Sequence, residues 1–173
     1  MAAPFSDLTP KNTPAGNLYI DIKTRSVCDP RKVDPRTYAE NWSTAVWAAG
    51  YAIGQGEVKL WHPDDPVPQE LTRAIASGLS IISYDAQLVR AVFINIMGLR
   101  YDWPIPPLEQ WVCTAAMAAA MDLPSSLDDA AKVMGIAERK DNEARSLIRR
   151  MTRPRSKTPH TLQPLRKDDV RPP

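Results

Sequence analysis

The chain predicts an α/β domain with a mixed five-stranded sheet, in which an antiparallel three-strand meander is followed by alternating helices and strands. Three features of the sequence point there. Residues 17–23 and 57–62 alternate apolar and polar side chains, and 43–53 between them is rich in Val, Trp, Tyr and Ala. Gly54-Gln55-Gly56 separates the second and third of these runs by too little chain for a parallel crossover. Residues 68–77 and 86–97 then carry apolar residues four apart, with the short apolar run 79–83 between them suited to a buried strand.

Taken in order, residues 1–16 hold three prolines and no apolar period, and read as a loose, flexible N-terminal arm. The first strand sets Leu18, Ile20 and Ile22 against Tyr19, Asp21 and Lys23. Residues 24–41 are polar and contain proline, so they read as a connection with at most a turn of helix near 35–40. In 57–62, Val58 and Leu60 alternate with Lys59 and Trp61. Leu71 and Ile75 mark the first long helix, with Gly78 as its C′ residue. Leu88, Val92 and Ile96 mark the second, which Gly98 is expected to end. A fifth short strand is expected at 111–114 and a helix at 115–121, where alanine and methionine favour helix. Ser126-Leu127-Asp128-Asp129 resembles a capping box opening a helix that runs to Met134 and closes at Gly135. A basic helix is expected at 142–151, followed by a Pro/Arg-rich segment, 152–173. The main domain is thus 17–151, and its element order is the ribonuclease H-like arrangement.

At 173 residues the chain suits one domain able to bury a core. Cys28 and Cys113 form no metal-ligand spacing, which excludes the common zinc motifs and suits a reducing compartment. No export signal and no apolar stretch long enough to span a membrane is present, so a cytoplasmic location is expected. The net charge of +2 hides an asymmetry: residues 139–173 hold 11 Lys/Arg against 4 Asp/Glu, and the rest 11 against 16. A basic end on an acidic body suits contact with nucleic acid, or a solvated tail.

Several stretches are more specific. Leu18-Tyr19-Ile20-Asp21-Ile22-Lys23-Thr24-Arg25-Ser26 resembles the first motif, Asp-x-Glu-Thr-Arg-Ser, of the DnaQ-like 3′–5′ exonuclease domain attached to phage family A DNA polymerases. Tyr38-Ala39-Glu40, residues 44–52 and Val58-Lys59-Leu60-Trp61 follow in the family's order. Residues 82–93 resemble its second motif, and 103–114, Leu123 to Leu127 and Arg139-Lys140-Asp141 its connecting segments. Leu165 to Arg171 resembles its third motif, Tyr-x-x-x-Asp-Val. The resemblance implies a ribonuclease H-like fold whose relatives hydrolyse a terminal phosphodiester with two divalent metals, Mg or Mn, held by four carboxylates.

By that resemblance Asp21 and Asp169 keep two catalytic, metal-binding carboxylates. Lys23 stands where the family has Glu, Val89 where it has Asp or Glu, and Leu165 where it has Tyr. An ammonium cannot ligate a cation and valine offers no lone pair. Lys23 is instead placed to pair with Asp21, two residues along the same strand face, an attraction of about 4 kcal/mol at 4 Å and an effective dielectric of 20 before desolvation. Tyr84 replaces the family's His, and Asp85 serves as a helix N-cap or a substitute ligand. The resemblance therefore implies an inactive exonuclease-like module that needs no cofactor. Its expected partner is a single-stranded DNA 3′ end or a replication or defence protein in a phage-infected or prophage-bearing bacterium. Lys23, Arg25, Arg149, Arg150, Arg153, Arg155 and Lys157 are the candidate phosphate contacts, and Trp42, Trp47, Trp61, Trp103 and Trp111 are either base-stacking or core residues. The alternatives are an active Mg- or Mn-dependent exonuclease split from its polymerase, with Asp85 or Asp141 as a replacement ligand, and a protein-interaction inhibitor that binds no nucleic acid.

Overall fold

A computed structural model gives the architecture; it describes residues 16–137, with Glu143, Ser146 and Ile148 beyond them. The expectations for 1–15, for Asp141, Arg149, Arg150, Arg153, Arg155, Lys157, Leu165 and Asp169, and for the helix at 142–151 as a unit, lie outside the described residues.

Strand β1 (Asn17–Arg25) pairs antiparallel with β2 (Ala45–Ile53), which pairs antiparallel with β3 (Lys59–Trp61). On its other side β1 pairs in parallel with β4 (Ser80–Ser83), and β4 in parallel with β5 (Trp111–Cys113). The order β3-β2-β1-β4-β5 is the ribonuclease H-like mixed sheet that the element order predicts. Gly54, at φ +59, makes the turn after β2, and its N–H reaches the Asn17 carbonyl oxygen at 2.8 Å.

Helix α1 (Pro35–Glu40) starts where proline at the first position and the Asp34 carboxylate, accepting from the Arg36 and Thr37 N–H groups, satisfy its free donors. Helix α2 (Gln69–Ala76) closes as predicted at Gly78, which sits at φ +80 with its N–H on the Ile75 carbonyl.

Gly98 does not end the next helix. Helix α3 (Ala86–Val92) runs into a π-helical stretch (Phe93–Met97) and on through α4 (Gly98–Tyr101), stopping only at Asp102 in the left-handed region at φ 56. Gly98 has ordinary helical angles, φ −67 and ψ −43. A Cβ there would lie 2.8 Å from Ile105 Cδ1, so the glycine serves close packing and not a cap. A 3-10 turn (Leu108–Gln110) leads into β5, then come α5 (Thr114–Ala120) and α6 (Leu127–Val133). Ser126 makes no side-chain cap bond to α6, which departs from the expected capping box: a box needs a residue at the third helical position able to reach back, and Asp129 is shorter than the usual Glu or Gln.

Among the described residues the main core lies on one face of the sheet. Leu18, Ile20, Ala49, Tyr51, Trp61 and Ile81 meet Leu71 and Ile75 of α2 and Val89, Val92, Phe93 and Ile96 of the long helix. Phe93 is fully buried and edge-on to both Trp103 and Trp111, at 5.6 and 5.2 Å between ring centroids. Trp103 in turn meets Trp61 at 4.9 Å. Four aromatic rings thus tie both edges of the sheet to one helix.

Candidate functional site

Alternation along β1 turns Leu18, Ile20 and Ile22 to the core and Tyr19, Asp21, Lys23 and Arg25 to the opposite face. Their partners share that face: Ala52 and Ile82 beside Tyr19, Gly50 beside Asp21, Ala48 beside Lys23. A Cβ at Gly50 would meet nothing within 4 Å, so the space beside Asp21 is uncrowded, while Ala48 beside Lys23 is buried.

Lys23 Nζ stands 2.5 Å from Asp21 Oδ2, so the ion pair expected from their spacing forms. Both side chains are well exposed, 41% for Lys23 and 66% for Asp21. Water therefore screens the pair to roughly 0.2–1 kcal/mol, below the several kcal/mol of the unscreened figure.

The pairing register shifts immediately beyond: Lys23 faces Ala48 but Thr24 faces Val46, which makes Trp47 the extra residue of a β-bulge. Periodicity could not reveal it, because an apolar run reads as strand with or without one extra residue. Beyond the bulge a buried hydroxyl network holds the tip of β1. The Thr24 and Tyr38 hydroxyls lie 2.8 Å apart, and the Thr44 hydroxyl lies 2.8 Å from Ser26 Oγ and 2.7 Å from the Tyr38 carbonyl oxygen. Ser43 Oγ accepts from the Val27 N–H at 3.1 Å. Burial raises the Tyr38 phenol above its ordinary range, against the lowering effect of the Thr24 bond. Arg100, missed in the sequence because Gly98 read as a stop, donates through Nη1 to the Thr44 carbonyl at 3.2 Å.

The second predicted motif sits at the end of β4. Asp85 caps α3, its carboxylate accepting from the Leu88 N–H at 3.2 Å. Tyr84 donates its phenol proton to the Ser125 carbonyl at 2.8 Å, tying this corner to the α5–α6 connection. Val89 is 6% exposed and belongs to the core, across the sheet from Asp21. The structure thus brings Asp21 and Lys23 together, with Arg25 further along the same strand, and sets Val89 apart from them.

Magnesium and manganese need several oxygen ligands. Among the described residues no group of three or more His, Cys, Asp or Glu side chains could hold a metal ion, and the β1 carboxylate already faces an ammonium. The described residues do not fit a pair of dications.

Two more features are present. Between β2, β3 and α2 lies an open depression of about 200 Å³, lined by Tyr51, Ile53, Gly56, Glu57, Lys59 and Glu70. Among the described residues no helix is long and apolar enough to cross a membrane.

No protein-family profile matches the chain. A DNA polymerase of Bacillus phage SP02 is 31% identical to it over 135 residues, which make up 76% of this chain. The match spans only 20% of that polymerase, about a fifth of its length. The chain is thus related in sequence to a part of a phage DNA polymerase.

Proposed function

We propose that the chain is a proofreading-exonuclease-like module of DnaQ type that has lost two-metal chemistry and binds the 3′ end of single-stranded DNA without cutting it. One observation carries this reading. The side chain beside Asp21, at a position where a second carboxylate would help grip a dication, is an ammonium 2.5 Å from the first. A tethered cation neutralises Asp21 and so removes its repulsion of phosphate with no ion from solution. Lys23 and Arg25 lie toward the carboxyl end of the central strand, where open α/β sheets bind their ligands. Similarity to part of a phage DNA polymerase favours a nucleic-acid ligand over other anions. Asp21 is exposed enough to accept a hydrogen bond from a terminal hydroxyl.

The test uses a 3′-labelled single strand. The strand should be shifted equally with Mg²⁺, with Mn²⁺ and with chelator, should stay intact, and should be released steeply by salt. Shortening of the strand that needs metal and disappears in Asp21→Ala would refute the reading and identify a working nuclease. A chain that neither shifts nor cuts the strand, yet retains a replication or defence protein, would refute it in favour of a protein-interaction role.

A further inference from the structure

The five tryptophans occupy very different environments. Trp61 and Trp103 are each 2% exposed, inside the aromatic core. Trp111 is half-buried against Phe93, and Trp47 is the half-buried bulge residue. Trp42 alone among them lies open, at 67% exposure. An indole is among the most costly side chains to leave in water, since full burial of a large apolar group is favourable by several kcal/mol.

The position of Trp42 is built. The neighbouring Ser43 and Thr44 belong to the buried hydroxyl network, with Ser43 Oγ on the Val27 N–H and Thr44 near Ser26 Oγ. The Thr44 N–H donates back to the Asn41 carbonyl at 2.9 Å, and the Asn41 carboxamide oxygen accepts from the Ser43 N–H and hydroxyl. Asn41, Ser43 and Thr44 are thereby fixed on both sides of Trp42, which reduces the backbone entropy lost when a ligand stacks on it. Two cationic residues are anchored to the chain close after it. Arg100 is pinned to the carbonyl of Thr44, two residues from Trp42, and Arg25 pairs with Ala45, three residues from it.

We propose that Trp42 is a stacking platform for an unpaired base of single-stranded nucleic acid, with Arg100 contacting a phosphate of the same strand. Exposed aromatic rings for the bases, combined with basic side chains for the backbone, bind single strands with little sequence preference. The inference rests on the nucleic-acid reading above and adds a second contact point beyond the Asp21–Lys23 pair.

The experiment titrates the full chain, with chelator present, with a short fluorescent thymidine oligonucleotide and with an abasic strand of equal charge. Tryptophan emission should be quenched by the thymidine strand and not by the abasic one. Trp42→Ala should weaken thymidine binding about fivefold or more, while Trp42→Phe keeps most of it. Arg100→Gln should reduce the salt slope by about 0.7, the loss of one phosphate contact on a single strand. If wild-type chain binds the thymidine strand and Trp42→Ala binds it equally well, the platform is refuted and the nucleic-acid reading stands. If wild-type chain binds neither strand, both fall together. Because Trp42 is exposed and makes no core contact, its substitution leaves the fold in place to report either result.

Discussion

Tyr51 carries the largest titration effect with a defined geometry. Its phenol donates to Glu70 at 2.9 Å, and the same carboxylate oxygen accepts from Lys59 at 2.6 Å. Burial, and then the bond to Glu70 and its charge, push the phenol up to about 12. In the unfolded chain it ionises near 10. Between these values the native state holds a proton that the unfolded chain has released, so this contribution to stability is lost as pH rises from about 10 to about 12. Tyr51→Phe should flatten that loss, measured as the urea midpoint across the window; an unchanged alkaline slope would show that another group governs it. Glu70 behaves with the opposite sign. The Lys59 bond, then the Tyr51 bond, hold its carboxyl below the usual range, so its contribution is lost as pH falls through that range. Lys23→Met belongs to the same scale. It should change unfolding stability by less than about 1 kcal/mol, because the pair it breaks is exposed. It should also lower the salt slope of single-strand binding by about 0.7. A large stability loss would mean that the pair is a structural element and not a ligand contact.

Among the elements, the long helix offers the sharpest test, because one glycine in it has two opposed effects. Alanine at 98 would favour helix by up to about 1 kcal/mol, but its Cβ would press on Ile105 Cδ1 and Cγ1 at 2.8 and 2.9 Å. Overpacking of that kind costs about 1–3 kcal/mol. Gly98→Ala alone should therefore destabilise by about 1 kcal/mol, and in an Ile105→Ala background it should instead stabilise. Denaturant unfolding of the four chains gives the coupling directly. Additive effects would mean that Ile105, half exposed, simply swings aside. This element also shows where sequence reasoning ran out. Leu88, Val92 and Ile96 announced the helix, yet Gly98 read as a stop because a glycine permitted by φ and a glycine demanded by a neighbour look alike in a sequence. The partner, Ile105, lies across a loop that periodicity does not reach. Strand β1 was legible for the converse reason: its alternation is local, so Asp21 and Lys23 could be assigned to one face before any tertiary contact was known. The bulge at Trp47 and the hydroxyl network around Ser26, Ser43 and Thr44 depend on pairing between strands, and no single stretch encodes them.

On the scale of the whole molecule, stability is concentrated on one side of the sheet and at its centre, while the proposed binding groups lie on the other side and at its end. The candidate site was legible as a set of positions on β1 and at the end of β4, but not as a geometry: Asp21, midway along β1, and Val89, within α3, face opposite sides of the sheet. The separation has a measurable consequence. Strand β1 is bonded on both edges and carries Leu18 and Ile20, at 0% and 4% exposure, whereas β3 is a three-residue edge strand whose Leu60 is 63% exposed. Helix α6 buries little besides Ala130 and leaves Val133 exposed. Opening of a region requires breaking its buried contacts, so the free energy of local opening should rise from α6 and β3 toward β1. Native-state hydrogen exchange should find the Leu18 and Ile20 amides exchanging only by global unfolding, and those of α6 orders of magnitude faster. Phe93→Ala sharpens the test. It removes the ring that links Trp103 and Trp111, at a cost of about 3–5 kcal/mol, a large part of the 5–15 kcal/mol that holds an ordinary domain together. It should speed exchange at Leu18 and Ile20 by that full amount while leaving α6 nearly unchanged, because α6 already opens without the core. Equal acceleration in α6 and β1 would mean that the domain opens as one unit and that the core reaches further than one face of the sheet.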